Sequence, residues 1–372
     1  MNKLITMILA FYPFIRTISD KTSGKLWDIL LVVLIIKIFL NKNNLVKMFI
    51  FIVIFFITFI NSNMNFFLNE SAIKEENLKF LLVITMLLVG NDKNLLCYIN
   101  YYFDKYKKII LVSNITSLLM QYIAIFVNKK VFIKHGVIEI YGTTASSHML
   151  GYLMFSITVI AVYLAINNKE FIYKIPVLLC IPILILLDAR TIMMANLIIA
   201  SIMLIKLKDI KLSSKIIMLL SGLFIIIIIF NLDLPFKAKA EYANETSSIL
   251  SGRDIFWKSD IEYYKNSNLI RQFLGNGLGT TNYVNKTTYN MNIWAHNDFI
   301  EILVNRGVFV LFIYILLLLN YIQKVYKYNE KYTAICICIS MFLLINLNGF
   351  YAYIIPTMYL PILLSINNKI LN

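Results

Sequence analysis

The chain has 372 residues, of which 59% are hydrophobic and 15% charged, with a formal net charge of +15 and a mean hydropathy of +0.74. A soluble domain of this size cannot bury so much apolar surface, because globular proteins typically contain about 25% charged residues. The composition excludes a soluble protein and predicts an all-α polytopic membrane protein. Runs such as IFIVIFFITFI do not alternate as the strands of a membrane β-barrel do.

Apolar runs separated by polar breaks predict about twelve transmembrane helices. Their approximate bounds, in chain order, are 4–18, 26–41, 46–62, 78–91, 109–127, 147–166, 173–188, 191–206, 215–231, 298–320, 333–348 and 352–367. The predicted organisation is therefore nine helices in residues 1–231, one large hydrophilic loop in residues 232–297, and three helices in residues 298–372.

Lysine and arginine are distributed unequally between the loops on the two sides of these helices. The richer set holds Lys42, Lys47, Lys93, Lys105, Lys107, Lys108, Lys206, Lys208, Lys211, Lys215, Lys324, Lys327 and Lys331. The positive-inside rule makes this set cytoplasmic, which places both termini inside and residues 232–297 outside. Lysines that flank spans and face anionic lipid also account for the basic charge, so we expect no nucleic-acid binding.

The long segment 232–297 carries aromatic side chains that disordered loops lack, and it is therefore a candidate for function. SGRDIFWKSDIEYYKNS begins like a capped helix, with Ser251 three residues before Asp254. The following GNGLG has two open interpretations: a tight glycine turn, or backbone N–H groups that line a site for an anion. A dinucleotide loop would need a βαβ unit, which nothing in the sequence indicates.

Three ionisable residues stand at positions where charge is costly or proton transfer is feasible. Arg190 follows Asp188 in LILLDARTIMMANLIIA, Arg253 lies in the external segment, and His296 precedes the helix predicted from 298. Each has a structural alternative: an interfacial ion pair, a solvated loop arginine and a helix cap, respectively. The functional interpretation is that the arginines bind a phosphate or pyrophosphate and the histidine moves a proton.

The residue pattern gives little support for a metal site or for a hydrolase. His296, Asp298 and Glu301 provide too few ligands for a metal site, and the sequence contains no HExxH or Cys/His pattern. A Ser-His-Asp hydrolase would need a nucleophile elbow, which is missing. We therefore expect neither a metal nor a cofactor.

Three segments resemble the O-antigen ligase/polymerase superfamily. DARTIMMANLIIA is similar to a span of that superfamily with a Ser-Arg-Thr motif, although Ala189 stands where relatives often have serine. SGRDIFWKSDIEYYKNSNLIRQFLGNGLGT resembles the large external loop. AHNDFIEILVNRGVFVLFIYILLL resembles the helix after that loop, with a glycine eleven residues after the histidine.

The resemblance implies a glycosyltransferase of bacterial polysaccharide assembly, with a helical fold similar to GT-C-type glycosyltransferases. Its substrates would be oligosaccharides linked to undecaprenyl pyrophosphate at the outer face of the cytoplasmic membrane, and its partners membrane lipids and other polysaccharide-assembly proteins. A Wzy-type polymerase of capsule or O-antigen transfers the growing glycan to the next lipid-linked repeat unit without a metal or nucleotide sugar. A ligase would use the same chemistry, so the sequence leaves this alternative open. A flippase for lipid-linked oligosaccharides is the alternative from another class.

The resemblance also assigns roles to individual residues. Arg190 and Arg253 would hold the diphosphate, and His296 would accept the proton of the acceptor hydroxyl. The expected substrate-binding residues are Asn297, Asp298, Trp257, Gly277 and Arg306.

Overall fold

The computed structural model describes residues 1–40, 44–63, 70–128, 131–134, 137–187, 189–206, 253–347 and 354–367. The predicted span 215–231 and residues 232–252 of the external loop lie outside this part of the chain. The described chain is helical, as its composition predicted. It adds one short antiparallel hairpin, in which β1 (Val131–Lys134) pairs with β2 (Val137–Ile140) and Val131 stands opposite Ile140.

The N-terminal part of the chain forms a bundle of helices, with the hairpin inserted before α7. The helices are α1 (Asn2–Ile18), α2 (Asp20–Leu40), α3 (Leu45–Asn63), α4 (Glu70–Val89), α5 (Lys93–Lys105), α6 (Lys107–Tyr122), α7 (Ser147–Asn167), α8 (Ile175–Ile185) and α9 (Arg190–Lys206). A π-helical turn, Ile123–Val127, extends α6. α7 is central, because 89% of its apolar stretch is buried, against 28% for α3.

The C-terminal part contains the described half of the external segment and the last helices. These are α10 (Arg253–Lys265), α11 (Leu269–Leu274), α12 (Thr280–Tyr289), α13 (Asp298–Tyr328), α14 (Lys331–Leu347), α15 (Ile355–Met358) and α16 (Leu360–Ser365). Side-chain oxygens cap the N-termini of two of these helices. Asn268 accepts a hydrogen bond from the Arg271 N–H at 2.9 Å, and Asn297 accepts one from the Phe299 N–H at 3.0 Å.

Several of these helices can cross a membrane, but fewer than the twelve predicted. Within the described ranges, α3, the continuous helix Lys107–Val127, α7 and α13 are long and apolar enough, and the bent pair α4–α5 adds a fifth if counted as one span. They indicate a membrane-embedded protein. Predicted spans on described residues all coincide with helices. However, α1, α8, α9, α14, α15 and α16 have fewer than 18 residues, and α2 carries Lys25, Asp28 and Lys37 along its length.

Contacts between α9 and α14 define the two ends of the bundle. They join Lys206 to Glu330, Ser201 to Cys336 and Ser340 to Ala195, so the two helices are antiparallel. Continuing this register places Arg190, the first residue of α9, opposite the end of α14 at Leu347. We call this the loop end. The other end, where Lys206 meets Glu330, is the lysine-rich end; there Lys47 interacts electrostatically with Lys324.

The helix predicted from residue 298 is broken. Gly307 interrupts α13 with φ 84° and ψ 168°, and the Tyr314 hydroxyl donates a hydrogen bond to Asp298 Oδ2 at 2.9 Å. In a straight helix these two residues would lie ~24 Å apart, at 1.5 Å per residue. The limb 298–306 therefore folds back against the apolar limb 308–328. The predicted single span 298–320 is wrong in its first third.

Candidate functional site

Two glycines bring the external segment onto the broken helix. A Cβ atom on Gly307 would stand 2.3 Å from the Phe273 carbonyl oxygen, and one on Gly275 would stand 2.4 Å from that of Asn305. Both glycines have positive φ, with ψ near 160°, a region essentially restricted to glycine. The turn after α11 and the break in α13 thus pack backbone against backbone, which explains the glycine eleven residues after the histidine.

His296 has an uncommon backbone conformation at the mouth of this broken helix. Its φ is +53°, and among the described residues the only other non-glycine with positive φ is Asn290, at the end of α12. Residues on both sides are held in place. The Ala295 N–H donates to Glu301 Oε2 at 3.1 Å, and its carbonyl accepts from Trp257 Nε1 at 2.6 Å. This conformation is therefore imposed by the surroundings, a pattern that is enriched at functional sites.

Arg253 lies close to the His296 segment. It begins α10, and Trp257, one helical turn later, binds the carbonyl of the residue before His296. The Arg253 guanidinium also donates to the carbonyl oxygen of Leu347 at the end of α14. A cation at this helix end is favourable, because unpaired carbonyls give it partial negative charge.

Arg190 belongs to the same end of the bundle. The register between α9 and α14 places its backbone opposite Leu347, the residue that Arg253 contacts. Its predicted ion-pair partner, Asp188, lies outside the described residues. The structure thus brings the backbone of Arg190, the side chain of Arg253 and the segment of His296 to the loop end.

A third arginine lies at this end, and the sequence did not single it out. Arg16 is 5% exposed, and its guanidinium donates to the hydroxyls of Tyr12 and Ser23, both at 3.3 Å. It also lies 3.8 Å from the sulfur of Met149, in the first turn of α7. The signal was available: Arg16 follows an apolar run in FYPFIRTI, where an arginine at a helix end marks a buried charge.

The residues that follow His296 are engaged in holding the segment. Asn297 caps α13 through the N–H groups of Phe299 and Ile300. Asp298 is fully buried and accepts the Tyr314 hydroxyl. Glu301, which the sequence analysis considered only as a metal ligand, is buried and accepts three hydrogen bonds, from the Thr281 hydroxyl, the Asn305 amide and the Ala295 N–H. Glu301 is thus a positioning residue for the His296 backbone.

Two further predicted substrate-binding residues have structural partners. The Gly277 N–H donates to the Asn305 carbonyl at 3.2 Å, so it closes the end of the short limb 298–306. This favours the tight-turn interpretation of GNGLG over an anion site. Arg306 is 1% exposed and reaches away from the loop, with Nη1 3.3 Å from the Thr58 hydroxyl and its guanidinium carbon 4.0 Å from the centre of the Phe80 ring.

A second buried carboxyl group lies inside the external segment. Asp260, in α10, is fully buried, and the contacts of α10 with α12 bring it near Asn285. Burial raises the pKa of the Asp260 carboxyl to about 8, and the charge of Glu301 adds to the increase. The Asp260 carboxyl therefore keeps its proton at neutral pH.

Comparison with known proteins returned no family model, no curated protein and no solved structure that matches the chain. Within the described ranges, no three side chains of His, Cys, Asp or Glu lie close enough together to hold a metal ion.

Proposed function

We propose that the chain is a glycosyltransferase that polymerises a capsular polysaccharide or O-antigen. It would transfer the growing glycan from undecaprenyl pyrophosphate to the next lipid-linked repeat unit, at the outer face of a bacterial cytoplasmic membrane. The observation that carries this proposal is the fixed backbone of His296 beside α10, at the end of an apolar bundle where Arg253 contacts the end of α14.

The reaction assigns one task to each kind of residue. A hydroxyl oxygen of the acceptor sugar forms a bond to the anomeric carbon, and the bond from that carbon to the diphosphate oxygen breaks. His296 takes the hydroxyl proton, a contribution of roughly 10²–10⁴-fold for a positioned base. Arg253 and Arg190 stabilise the charge that develops on the departing diphosphate.

A membrane-level site suits a donor of this kind. Its polyprenyl chain stays in the hydrocarbon, its diphosphate lies at the interface, and its glycan extends into water. At the loop end, Arg306 of the limb 298–306 contacts Thr58 of α3 and Asn77 of α4, and both helices continue from there into apolar sequence. At this depth in the membrane, a base can reach the acceptor hydroxyl beside the anomeric carbon of such a donor, and cations can reach its diphosphate.

The test is an in vitro reaction with purified full chain and a lipid-linked repeat unit. The proposal predicts a ladder of products that differ by one repeat unit. A single transfer to a different acceptor would replace polymerase with ligase, and the absence of any new glycosidic bond with correctly folded protein would overturn the enzymatic proposal.

A further inference from the structure

A second polar feature lies at the lysine-rich end, far from His296. There the starts of α1 and α5 and the end of α2 surround a cavity of about 520 Å³. Lys3, Lys37 and Asp92 line it, together with the apolar side chain of Leu40. The cavity opens to the surface, because Lys3 and Leu40 are exposed.

Positive charge dominates this cavity. Lys37 is 7% exposed, and its ammonium group lies 2.5 Å from Asn2 Oδ1 and 3.4 Å from Asp92 Oδ2. Lys3 lines the cavity as well, and Lys47 interacts electrostatically with both Asp92 and Lys37. Two lysines and one carboxylate therefore line the cavity, Lys47 adds a third positive charge nearby, and the first turn of α1 contains no acidic residue that would add negative charge. The excess of positive charge favours the binding of an anion in this cavity.

The geometry of α4 and α5 places the cavity at the height of lipid headgroups. The two helices meet at 93°, beside Asp92. Lys93, Asp104 and Lys105 are exposed on α5, whereas Leu96 and Phe103 are buried. Since exposed charges cannot face hydrocarbon, a helix perpendicular to an apolar one lies in the membrane interface. The cavity stands at this junction.

An apolar surface leads away from the cavity along α2. Ile29, Val32, Ile36 and Leu40 lie on one face of this helix, and all four are exposed. Leu40 both ends this stripe and lines the cavity. A molecule with an anionic head and an aliphatic tail can therefore contact the cavity and the stripe together.

We propose that this cavity binds the phosphate group of an anionic glycerophospholipid, with an acyl chain along the stripe on α2. Lys3 and Lys37 contact the phosphate, and Asp92 holds the Lys37 ammonium group in position. The site is independent of the glycosyl transfer proposed above, because it lies at the opposite end of the bundle and shares no residue with it.

Native mass spectrometry of the full chain in detergent tests the proposal. The probes are phosphatidylglycerol and phosphatidylcholine with identical acyl chains, and sodium phosphate as a competitor. We expect phosphatidylglycerol to bind one saturable site at least tenfold more tightly than phosphatidylcholine. Lys3→Gln should weaken binding about fivefold, and Lys3→Gln with Lys37→Gln about 30-fold, since each amine near an anionic surface contributes roughly a factor of five.

Lys108→Gln is the matched control, because Lys108 is exposed on α6 and does not line the cavity. It should leave binding unchanged. The single variant Lys3→Gln keeps the Lys37–Asp92 pair, so the experiment does not depend on a variant that disturbs folding. Equal binding of both lipids, or equal effects of Lys3→Gln and Lys108→Gln, would overturn the proposal. Displacement of the lipid by an equal concentration of phosphate would overturn the lipid assignment.

Discussion

At the residue scale, the conformation of His296 depends on hydrogen bonds made by its neighbours. A positive φ costs a non-glycine residue about 1 kcal/mol or more, although histidine tolerates it better than most. Trp257 and Glu301 hold the peptide groups of Ala295, and Asn297 starts the next helix. Such a fixed backbone suits the proposed proton acceptor, because the Cα of His296 need not be positioned again at each turnover.

Glu301→Gln should weaken this arrangement without touching the histidine. Glutamine can offer its oxygen to Thr281 and Asn305, but its amide then faces the Ala295 N–H as a second donor. We expect a loss of roughly 1–3 kcal/mol in stability, the cost of an unsatisfied buried donor, and slower transfer. Thermal unfolding in detergent and the rate of product formation measure the two effects. A variant with wild-type stability and rate would show that Glu301 does not position His296.

Asp260 makes the stability of the external segment depend on pH. Its pKa is about 8 in the folded chain and about 3.9 when unfolded, so the folded state holds the proton more tightly. The contribution of Asp260 to the free energy of unfolding is therefore greatest below about pH 4, and it is lost as the pH rises towards 8. Asp260→Asn should raise the melting temperature more at pH 8 than at pH 5. An equal shift at both values would contradict a protonated buried carboxyl.

At the element scale, the break in α13 lets one continuous stretch of sequence serve both the site and the membrane. The limb 298–306 carries Asp298 and Glu301 back over the bundle, and the limb 308–328 is apolar. The turn is stabilised by Gly275, Asn276 and Gly277, whose N–H groups donate to carbonyls of Arg271, Val304 and Asn305.

Gly307→Ala should disrupt this turn. The backbone conformation alone costs an alanine roughly 1–3 kcal/mol, and the Cβ would also collide with the Phe273 carbonyl. We expect lower thermal stability and little polymer. Gly24→Ala is the control, because a Cβ there meets nothing within 4 Å and alanine favours a helix. If both variants unfold at the wild-type temperature, the fold-back of α13 is wrong.

At the scale of the whole molecule, hydropathy predicted the positions of the described helices well, but it predicted more membrane crossings than the described ranges contain. Predicted spans coincide with helices because apolar runs of this length have no other stable form in lipid. The bend between α4 and α5 and the fold-back at Gly307 depend on tertiary contacts that a sliding window does not register.

The candidate site was predictable only in part. His296, Arg253 and Arg190 were identified by their residue type and position, and the structure brings their segments to one end. Glu301, Asp260 and Arg16 were missed because their roles come from burial and from partners more than a helical turn away. Conversely, Gly277 and Arg306 have packing roles that their motif positions did not reveal.

The two ends of the bundle should face opposite sides of the membrane. Lysines gather at one end and the polar segment at the other, so the positive-inside rule predicts that residues 232–297 lie outside. In intact cells, Lys265→Cys should react with a membrane-impermeant maleimide, and Lys108→Cys should react only after permeabilisation. The parent chain, with its four free cysteines, gives the background. The reverse pattern would contradict transfer at the outer face.

The most direct measurement of the central claim is the transfer rate of purified His296→Asn with a lipid-linked repeat unit. Asparagine adopts positive φ readily, so the backbone is kept while the proton acceptor is lost. We expect the rate to fall roughly 10²–10⁴-fold, and that of Arg253→Ala to fall on the order of 10²-fold. Lys258→Ala, an exposed change on the same helix, should keep the wild-type rate. Wild-type polymerisation by folded His296→Asn would contradict the account.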